Sequence, residues 1–326
     1  MKCKTCTQKA VLTSPNYCKE HFITYFENKV KETIRKYKLI TKKDKCIVGV
    51  SGGKDSLTIL YLLNKWKHDV TALCIDEGIK DYRAITIEDM KTFCNKYNIK
   101  YKIVSYKEAF SKTLDEALPI LKEKPCTVCG TFRRYLLNKT AKELEGTKLV
   151  TGHNLDDEAQ AVLMNFFKNH INLLARQGPR SGVEQNDAFV SRVKPLYNCT
   201  EKEVLLFSFL MGFKSKYVEC PNTPQAFRAD VTTFLNDLEE AFPHAKKNIL
   251  LHFLQDLKTL QKSFKGAHPQ ECQSCGEPAN NALCKTCGYA EQLKEETLTP
   301  TEKARIKKAI KGPHLTEKEF KKKHAF

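Results

Sequence analysis

Two adjacent glycines followed by Lys-Asp-Ser limit what this chain can become more than any other stretch. They lie in Lys45-Cys-Ile-Val-Gly-Val-Ser-Gly-Gly-Lys-Asp-Ser56, where residues 46–50 form an apolar run short enough for a buried strand. A helix is expected from about Ser56. Between strand and helix, Gly52 and Gly53 allow positive φ and carry no Cβ, so backbone N–H groups can close around an anion. The helix N-terminus adds partial positive charge and Lys54 a full one, while Ser51 and Ser56 offer hydroxyls to phosphate oxygens. The longer Gly-x-x-x-x-Gly-Lys-Ser/Thr spacing of a Walker loop is absent. A plain glycine turn is the blander reading, and Lys54, Asp55 and the two serines weigh against it.

From residue 45 onward, strand and helix patterns alternate. Strands are predicted at 46–50, 69–75, 100–104 and 148–152, and helices at about 56–66, 83–97, 111–122, 130–144 and 157–168. Short connections between them predict an α/β fold, a doubly wound parallel sheet with ligands at the carboxyl ends of its strands. The phosphate cradle ends the first strand. Adenine is then expected over neighbouring strand ends, read by main chain near Gly49 and Ile75. The strand ending at Gly152 runs into His153-Asn-Leu-Asp156-Asp157-Glu158. Adjacent carboxylates beside a triphosphate suit Mg²⁺ on Asp156 and Asp157, although the same residues also make an acidic first turn for a helix. Asp157 is alternatively placed to act on the substrate itself.

Most of the 14 cysteines fall in Cys-x-x-Cys or Cys-x-x-His pairs, the usage of a reducing compartment that binds metals. Cys3, Cys6, Cys18 and His21 supply four ligands for a tetrahedral zinc knuckle, and Cys272, Cys275, Cys284 and Cys287 supply a Cys₄ zinc ribbon. Cys126 and Cys129, in Pro125-Cys-Thr-Val-Cys-Gly130, open a helix whose dipole favours thiolate. Half of a zinc site, a redox dithiol and part of an iron–sulfur site all fit that pair. Cys220, followed by a proline in a loop, is the candidate third ligand. Cys46, Cys74, Cys94 and Cys199 read as small buried residues. The expected organisation is a knuckle and helix at 1–40, a nucleotide-binding domain at 41–265, the ribbon at 266–290 and a basic tail at 291–326.

The formal charge of +17 exceeds what solubility needs and points to a polyanionic partner, a lysine-rich surface habit being the alternative. Arg176, Arg180 and Arg192 are candidate edges of its groove. No apolar run approaches the roughly 18 residues of a membrane span, so a soluble, cytoplasmic protein is expected. Helices at about 19–38, 200–212, 230–241 and 245–263 carry apolar stripes suited to a core, among them Phe22, Tyr25, Phe26, Val30 and Ile34.

Ser51-Gly-Gly-Lys-Asp-Ser56 resembles the PP-loop of the ATP pyrophosphatases, which cleave ATP between the α and β phosphates and leave the substrate adenylylated. The amino-terminal Cys₃His set, this loop, the Cys126–Cys129 helix with Arg133 and Arg134, Gly152-His-Asn-Leu-Asp-Asp157, Cys220 and the Cys₄ ribbon come in one order. It is the order of the tRNA 2-thiouridine synthetases, and the resemblance runs from Cys3 to Gly288. It implies that Mg-ATP binds around Gly49, Ser51, Gly52, Gly53, Lys54, Asp55, Ser56, Ile75, Arg133 and Gly152. It also implies that a tRNA uridine is adenylylated on its 2-carbonyl oxygen and that sulfur then displaces AMP. Lys54, Asp55, Arg133 and Asp157 are the catalytic residues implied. In such enzymes Cys126, Cys129 and Cys220 would hold a 4Fe–4S cluster whose fourth iron carries the incoming sulfide, beside two structural Zn²⁺ ions. Sulfur would come from a ubiquitin-like carrier with a C-terminal thiocarboxylate or from free sulfide, and a homodimer is compatible with the family. Some members carry Lys where this chain has Arg133; an arginine stays protonated, so only charge stabilisation carries over.

Two other readings stay open from residues alone. One is a non-catalytic, zinc-containing RNA-binding protein with a regulatory nucleotide site, which tRNA-dependent pyrophosphate release would exclude. The other is a different PP-loop chemistry such as amidation or lysidine formation, against which three cysteines near the nucleotide speak for sulfur.

Overall fold

In a computed structural model that describes residues 1–13, 15–182, 189–213, 218–223, 227–264 and 270–297, the central apolar runs form one five-stranded sheet. A two-stranded hairpin, β1 (Leu12–Thr13) and β2 (Asn16–Tyr17), precedes it. The sheet comprises β3 (Lys45–Gly49), β4 (Asp69–Asp76), β5 (Lys100–Ser105), β6 (Lys148–Thr151) and β7 (Ser191–Val193). Their spatial order is β5-β4-β3-β6-β7, and every pairing is parallel. The chain therefore builds outward from β3 on one side, returns, and builds outward from β6 on the other. The order reverses between β3 and β6, and a crevice opens there beyond the strands' carboxyl ends.

Helices cover both faces. α1 (Lys19–Lys36) precedes the sheet, α2 (Lys54–Lys65) joins β3 to β4, and α3 (Arg83–Lys96) joins β4 to β5. α4 (Tyr106–Phe110), α5 (Leu114–Leu121) and α6 (Pro125–Glu143) lie between β5 and β6, and α7 (Leu155–Phe167) and α8 (Ile171–Leu174) between β6 and β7. α9 (Glu201–Leu210), α10 (Phe227–Ala241) and α11 (Ala245–Ser263) follow. The chain then enters a small hairpin, β8 (Gln270–Glu271) and β9 (Pro278–Ala279), and α12 (Lys285–Thr297).

Successive strand side chains point to opposite faces. Cys46 and Val48 pack into one layer with Phe26, Leu57, Leu60 and Phe207, while Ile47 packs into the other with Leu121, Phe132 and Leu136. β4 divides the same way, Ala72 and Cys74 against Leu73 and Ile75. Both faces being covered, the strands run continuously apolar. The stripe on α1 and the stripe of Ile249, Leu250, Phe253, Leu254, Leu257 and Leu260 on α11 are core, the second packing on α7 and α10.

Three features differ from the sequence expectations. The helix expected over 111–122 is two: α4 ends where Ser111 takes φ 60°, and Thr113 starts α5 in a reciprocal cap with Glu116. β7, which is not among the predicted strands, is a three-residue edge strand beside β6. α12 runs through residue 290, where the tail was expected to begin; residues 298–326 lie outside the described ones. This helix packs back on α5 and α6, burying Leu293 and setting Tyr289 edge-on to Phe132 at 5.9 Å. Among the described residues, no helix is long and apolar enough to cross a membrane.

Candidate functional site

The phosphate loop leaves β3 at Gly49 and enters α2 at Lys54. Gly52 has φ +90°, and a Cβ there would lie 2.2 Å from the Thr86 carbonyl oxygen of α3, so the turn requires glycine. The hydroxyl of Ser56 accepts from the Ser51 N–H (3.2 Å) and donates to the Gly53 carbonyl (3.0 Å), closing the loop on itself. No side chain caps α2, which leaves its first N–H groups available to an anion. Lys54 Nζ lies 3.1 Å from Asp55 Oδ2 and 2.8 Å from Glu201 Oε1 on α9. Although burial opposes it, these carboxylates hold the Lys54 ammonium above its ordinary pKa.

The strand beside the loop ends at Gly152, where a Cβ would meet the Ser56 backbone nitrogen at 2.7 Å and the Asp55 carbonyl carbon at 2.8 Å. Glycine at this position lets β6 come against the start of α2. Asn154 then caps α7: its Oδ1 accepts from the Asp157 N–H (3.1 Å), and Asp157 Oδ2 accepts from the Asn154 N–H (3.2 Å). The Asn154 side-chain amide donates to Asp55 Oδ1 at 3.0 Å, tying the two helix starts together across the crevice.

The two adjacent acids part company. Asp156 is buried, its Oδ1 accepting from Lys246 Nζ (2.6 Å) and its Oδ2 from the Glu201 N–H (2.7 Å). It serves the α7–α9–α11 packing here, whereas the sequence expectation paired it with Asp157 for Mg²⁺. Asp157 stays on the crevice side, with Arg228 Nη1 at 3.5 Å. Burial pushes its carboxyl up to about 6; Arg228 opposes this and the nearby Asp55 adds to it.

Glu77, just past the end of β4, is 3% exposed and faces two arginines. Arg83 Nε lies 2.5 Å from its Oε2, and Arg133 Nε donates to its Oε1 at 2.8 Å. Arg83 is itself buried, donating to the carbonyls of Ser51 (2.9 Å) and Ile75, to Thr86 Oγ1 (2.9 Å) and to Cys74 Sγ (3.1 Å). The Ile75 carbonyl, near which adenine contacts were expected, is therefore engaged, and Cys74 is more than a packing residue. Arg133 also reaches Cys129, Nη2 to Sγ, at 3.1 Å.

Cys126 and Cys129 lie in the first turns of α6, which begins at Pro125, five residues before the predicted start of 130. Cys126 is exposed, Cys129 is buried and Cys220 packs against the same apolar cluster as Cys129. Burial pushes the Cys129 thiol up; Arg133 pulls it down, Glu77 pushes it up, and Cys220 lies close enough to add to the rise. Among the described residues, these sulfurs do not converge within 4.8 Å as the zinc ligands do.

His153, Arg133 and Arg134 are open to solvent yet walled by protein, which defines a cleft. Burial and the nearby Lys194, Arg228, Arg192 and Arg133 push His153 down to about 3, so its ring is neutral at pH 7. Burial and the Arg134 guanidinium push Arg192 down to about 10. A cleft of mutually repelling cations favours an anion. Of the three expected groove arginines only Arg192 belongs to it, since Arg180 donates to the Lys38 carbonyl (2.7 Å) and Arg176 stacks on Phe264 (5.0 Å).

The two terminal sets fit zinc. Ligand atoms of Cys3, Cys6, Cys18 and His21 lie within 4.8 Å of one another, as do those of Cys272, Cys275, Cys284 and Cys287. The Cys6–Cys18 and Cys275–Cys284 sulfur separations are 3.7 and 3.8 Å. That is the edge of a tetrahedron with Zn–S bonds of about 2.3 Å. Burial opposes ionisation of Cys272, but the N–H groups of Cys284, Ser274 and Cys275 outweigh it and lower its thiol to about 6.

Glu77, Arg83, Asn154 and Arg228 are absent from the sequence expectations. Asn154, three residues before Asp157, carries a capping signature that could have found it. Glu77 follows a buried strand, where ligands of a parallel sheet gather. For Arg83 and Arg228 the sequence holds no signal.

A family model described as a PP-loop domain matches residues 22–228. The chain is 36% identical over 293 residues to the tRNA-5-methyluridine(54) 2-sulfurtransferase of Pyrococcus horikoshii, covering 89% of this chain and 93% of that one. It is 35% identical over 306 residues to the cytoplasmic tRNA 2-thiolation protein 1 of Danio rerio, covering 90% and 88%. Among solved structures it resembles the U34-tRNA thiolase NcsA of Methanococcus maripaludis with its [4Fe-4S] cluster. The TM-score is 0.77 and the identity 34%, with 90% of this chain and 96% of that one covered.

Proposed function

The chain belongs to the PP-loop family of tRNA 2-thiolation enzymes, and from this we infer that it makes 2-thiouridine in tRNA by adenylylating the base and then inserting sulfur. The observation that carries this reading is the meeting of three elements at the β3–β6 crevice: the phosphate loop, Asp157 with its neighbour Asp55, and the cysteine helix reached through Arg83, Glu77 and Arg133.

The 2-carbonyl of uridine is amide-like and a poor centre for exchange. Attack of its oxygen on the α-phosphorus of ATP expels pyrophosphate and turns that oxygen into a leaving group. The open N–H groups of α2 bind the departing phosphates, and Lys54 moves from Glu201 to neutralise them. Asp157 and Asp55 are the carboxylates we assign to Mg²⁺, Asp156 being committed elsewhere. Arg133, with donors beyond those used by Glu77 and Cys129, meets charge that develops on the phosphate. Cys126, Cys129 and Cys220 would hold the 4Fe–4S cluster. When bound, that cluster supplies a site for sulfur, because three cysteines leave one iron without a protein ligand. Sulfur then attacks C2 and AMP leaves with the former carbonyl oxygen. We assign sulfur supply to a ubiquitin-like thiocarboxylate carrier or to free sulfide, and tRNA docking to the basic cleft.

The test is to treat unmodified tRNA anaerobically with reconstituted protein, ATP and sulfide, then to analyse its nucleosides by mass spectrometry. Formation of 2-thiouridine or 5-methyl-2-thiouridine, with tRNA-dependent pyrophosphate release, is expected. Mapping the product to U34 or to position 54 assigns the target. Binding of tRNA with neither product would overturn the reading in favour of a non-catalytic RNA-binding protein.

A further inference from the structure

Glu77 is a nearly buried carboxylate to which the chemistry above gives no task, and it stands between the two halves of the site. We propose that Glu77 is a positioning residue that holds the Arg133 guanidinium against the Cys129 sulfur, acting on sulfur insertion through Arg133; this rests on the cysteine helix being the sulfur-transfer end of the site.

One side of Glu77 is anchored. Arg83 faces its Oε2 at 2.5 Å and is fixed in turn by the carbonyls of Ser51 and Ile75, by Thr86 and by Cys74. Its backbone is fixed too, the Glu77 carbonyl accepting from the Leu114 N–H at 2.8 Å. Gly78 follows at φ +66°, packed so close to Thr113 that a Cβ would lie 2.5 Å from its methyl carbon. The carboxylate is therefore held by its ion pair with Arg83 and by a fixed backbone.

The other side is free to act. Arg133 projects into the cleft with its side chain 45% exposed, and its Nε donates to Glu77 Oε1. Cys129 and Arg133 are four residues apart on α6 and so share a face, which brings Nη2 to the sulfur. Arg134 is next in sequence, and the repulsion between the two guanidiniums contributes to the lowered pKa of Arg134. Without a carboxylate, Arg133 would be driven outward by these cations and would swing on a long, flexible stem. Glu77 cancels that push and selects one rotamer. Because its anchor, Arg83, also grips the Ser51 carbonyl, the guanidinium is held in register with the phosphate loop.

The experiment is a double-mutant cycle on the full chain with Glu77→Gln, Arg133→Gln and the pair combined. Four quantities are read: the Kd for ATP, kcat and KM for sulfur insertion into tRNA, and the rate of maleimide labelling of Cys129 in iron-free protein that keeps its zinc, followed by peptide mass spectrometry. The expected result is an ATP Kd within about twofold of wild type in Glu77→Gln, with kcat falling at least about tenfold in each single variant and KM little changed. Cys129 labelling should shift by the same factor in both, and the combined variant should be no worse than either single one. A general structural defect would instead multiply the two losses. Glu77→Gln leaves Arg83 with a weaker partner and can fail to fold. Glu77→Asp serves then, keeping the charge for Arg83 while being one methylene too short to serve Arg133 as well, and the same non-additivity is expected. Multiplying losses, or wild-type kcat and labelling in Glu77→Asp, would overturn the proposal. If the wild-type protein inserts no sulfur, the functional reading fails, while the labelling cycle still decides whether Glu77 acts through Arg133.

Discussion

Lys54 of the phosphate loop is held 2.8 Å from Glu201 at the start of α9, so the nucleotide-free site keeps its principal cation on a protein carboxylate. ATP must draw the ammonium away. Glu201 is half exposed, and such pairs are worth about 0.2–1 kcal/mol, so Glu201→Gln should tighten ATP binding by a factor of about 1.4 to 5. Calorimetric titration checks this; weaker binding would mean that Glu201 helps Lys54 into place.

Lys54→Ala and Asp55→Ala should abolish pyrophosphate release and leave tRNA affinity nearly intact. The loop acts on the nucleotide, whereas tRNA affinity arises from many phosphate contacts over a basic surface. A gel-shift titration run beside a pyrophosphate assay separates the two. Equal loss of both would place the loop in the RNA interface.

Asp157 should set the acid limb of the reaction. Its carboxyl is raised to about 6 mainly by burial, with Asp55 adding and Arg228 opposing. The folded chain therefore binds this proton more tightly than the unfolded one. This group's penalty on stability is absent below about pH 4, grows as pH rises and is complete above about pH 6. Mg²⁺ needs the ionised form, so Mg²⁺-dependent pyrophosphate release should climb through about pH 6. Asp157→Asn should abolish that climb, and it should raise the Tm at pH 8 while leaving it unchanged at pH 4. An equal shift in Tm at both values would contradict the assignment.

Much of this architecture was legible in the sequence, because apolar runs of strand length alternate with helical stripes and the glycine loop marks where the first strand ends. The four predicted main strands lie within one residue of the observed ends. What could not be read had no local signal. Ser191-Arg192-Val193 is too short for a period and is a strand because β6 offers an edge to pair with. Asp156 and Asp157 are chemically alike and adjacent, and only the arrival of Lys246, 90 residues later, sends one of them into the packing. Glu77, Arg83 and Arg133 meet through tertiary structure alone, so no spacing announces them.

The terminal zinc sites should prove structural, since each offers four protein ligands and no open position. Cys6→Ser and Cys275→Ser should each lower the zinc content from two ions per chain to one and lower the Tm. The second should reach further. α12 carries Tyr289 onto Phe132 of α6, and Glu277 accepts from Asn138 of the same helix at 2.6 Å. Loss of the ribbon's zinc should therefore increase hydrogen exchange in α6, while Cys6→Ser leaves α6 protected. Retention of two zinc ions by either variant would sink the assignment.

Cys220 gives the sharpest test of the sulfur chemistry. It packs against the apolar cluster that contains Cys129, and its charge would be felt there. As a bystander it could become serine at little loss, and thiolation would continue. As the third cluster ligand it supplies a thiolate that Cys126 and Cys129 cannot replace, so Cys220→Ser should lose or degrade the cluster. The phosphate loop is built from another part of the chain, so ATP and tRNA should still bind. Iron should fall well below four per chain in anaerobically prepared protein, together with the broad visible absorbance near ~400 nm typical of such clusters. Sulfur insertion should be lost with it, while tRNA-dependent pyrophosphate release persists. Full iron content with normal thiolation in Cys220→Ser would show that Cys126 and Cys129 find their third partner elsewhere.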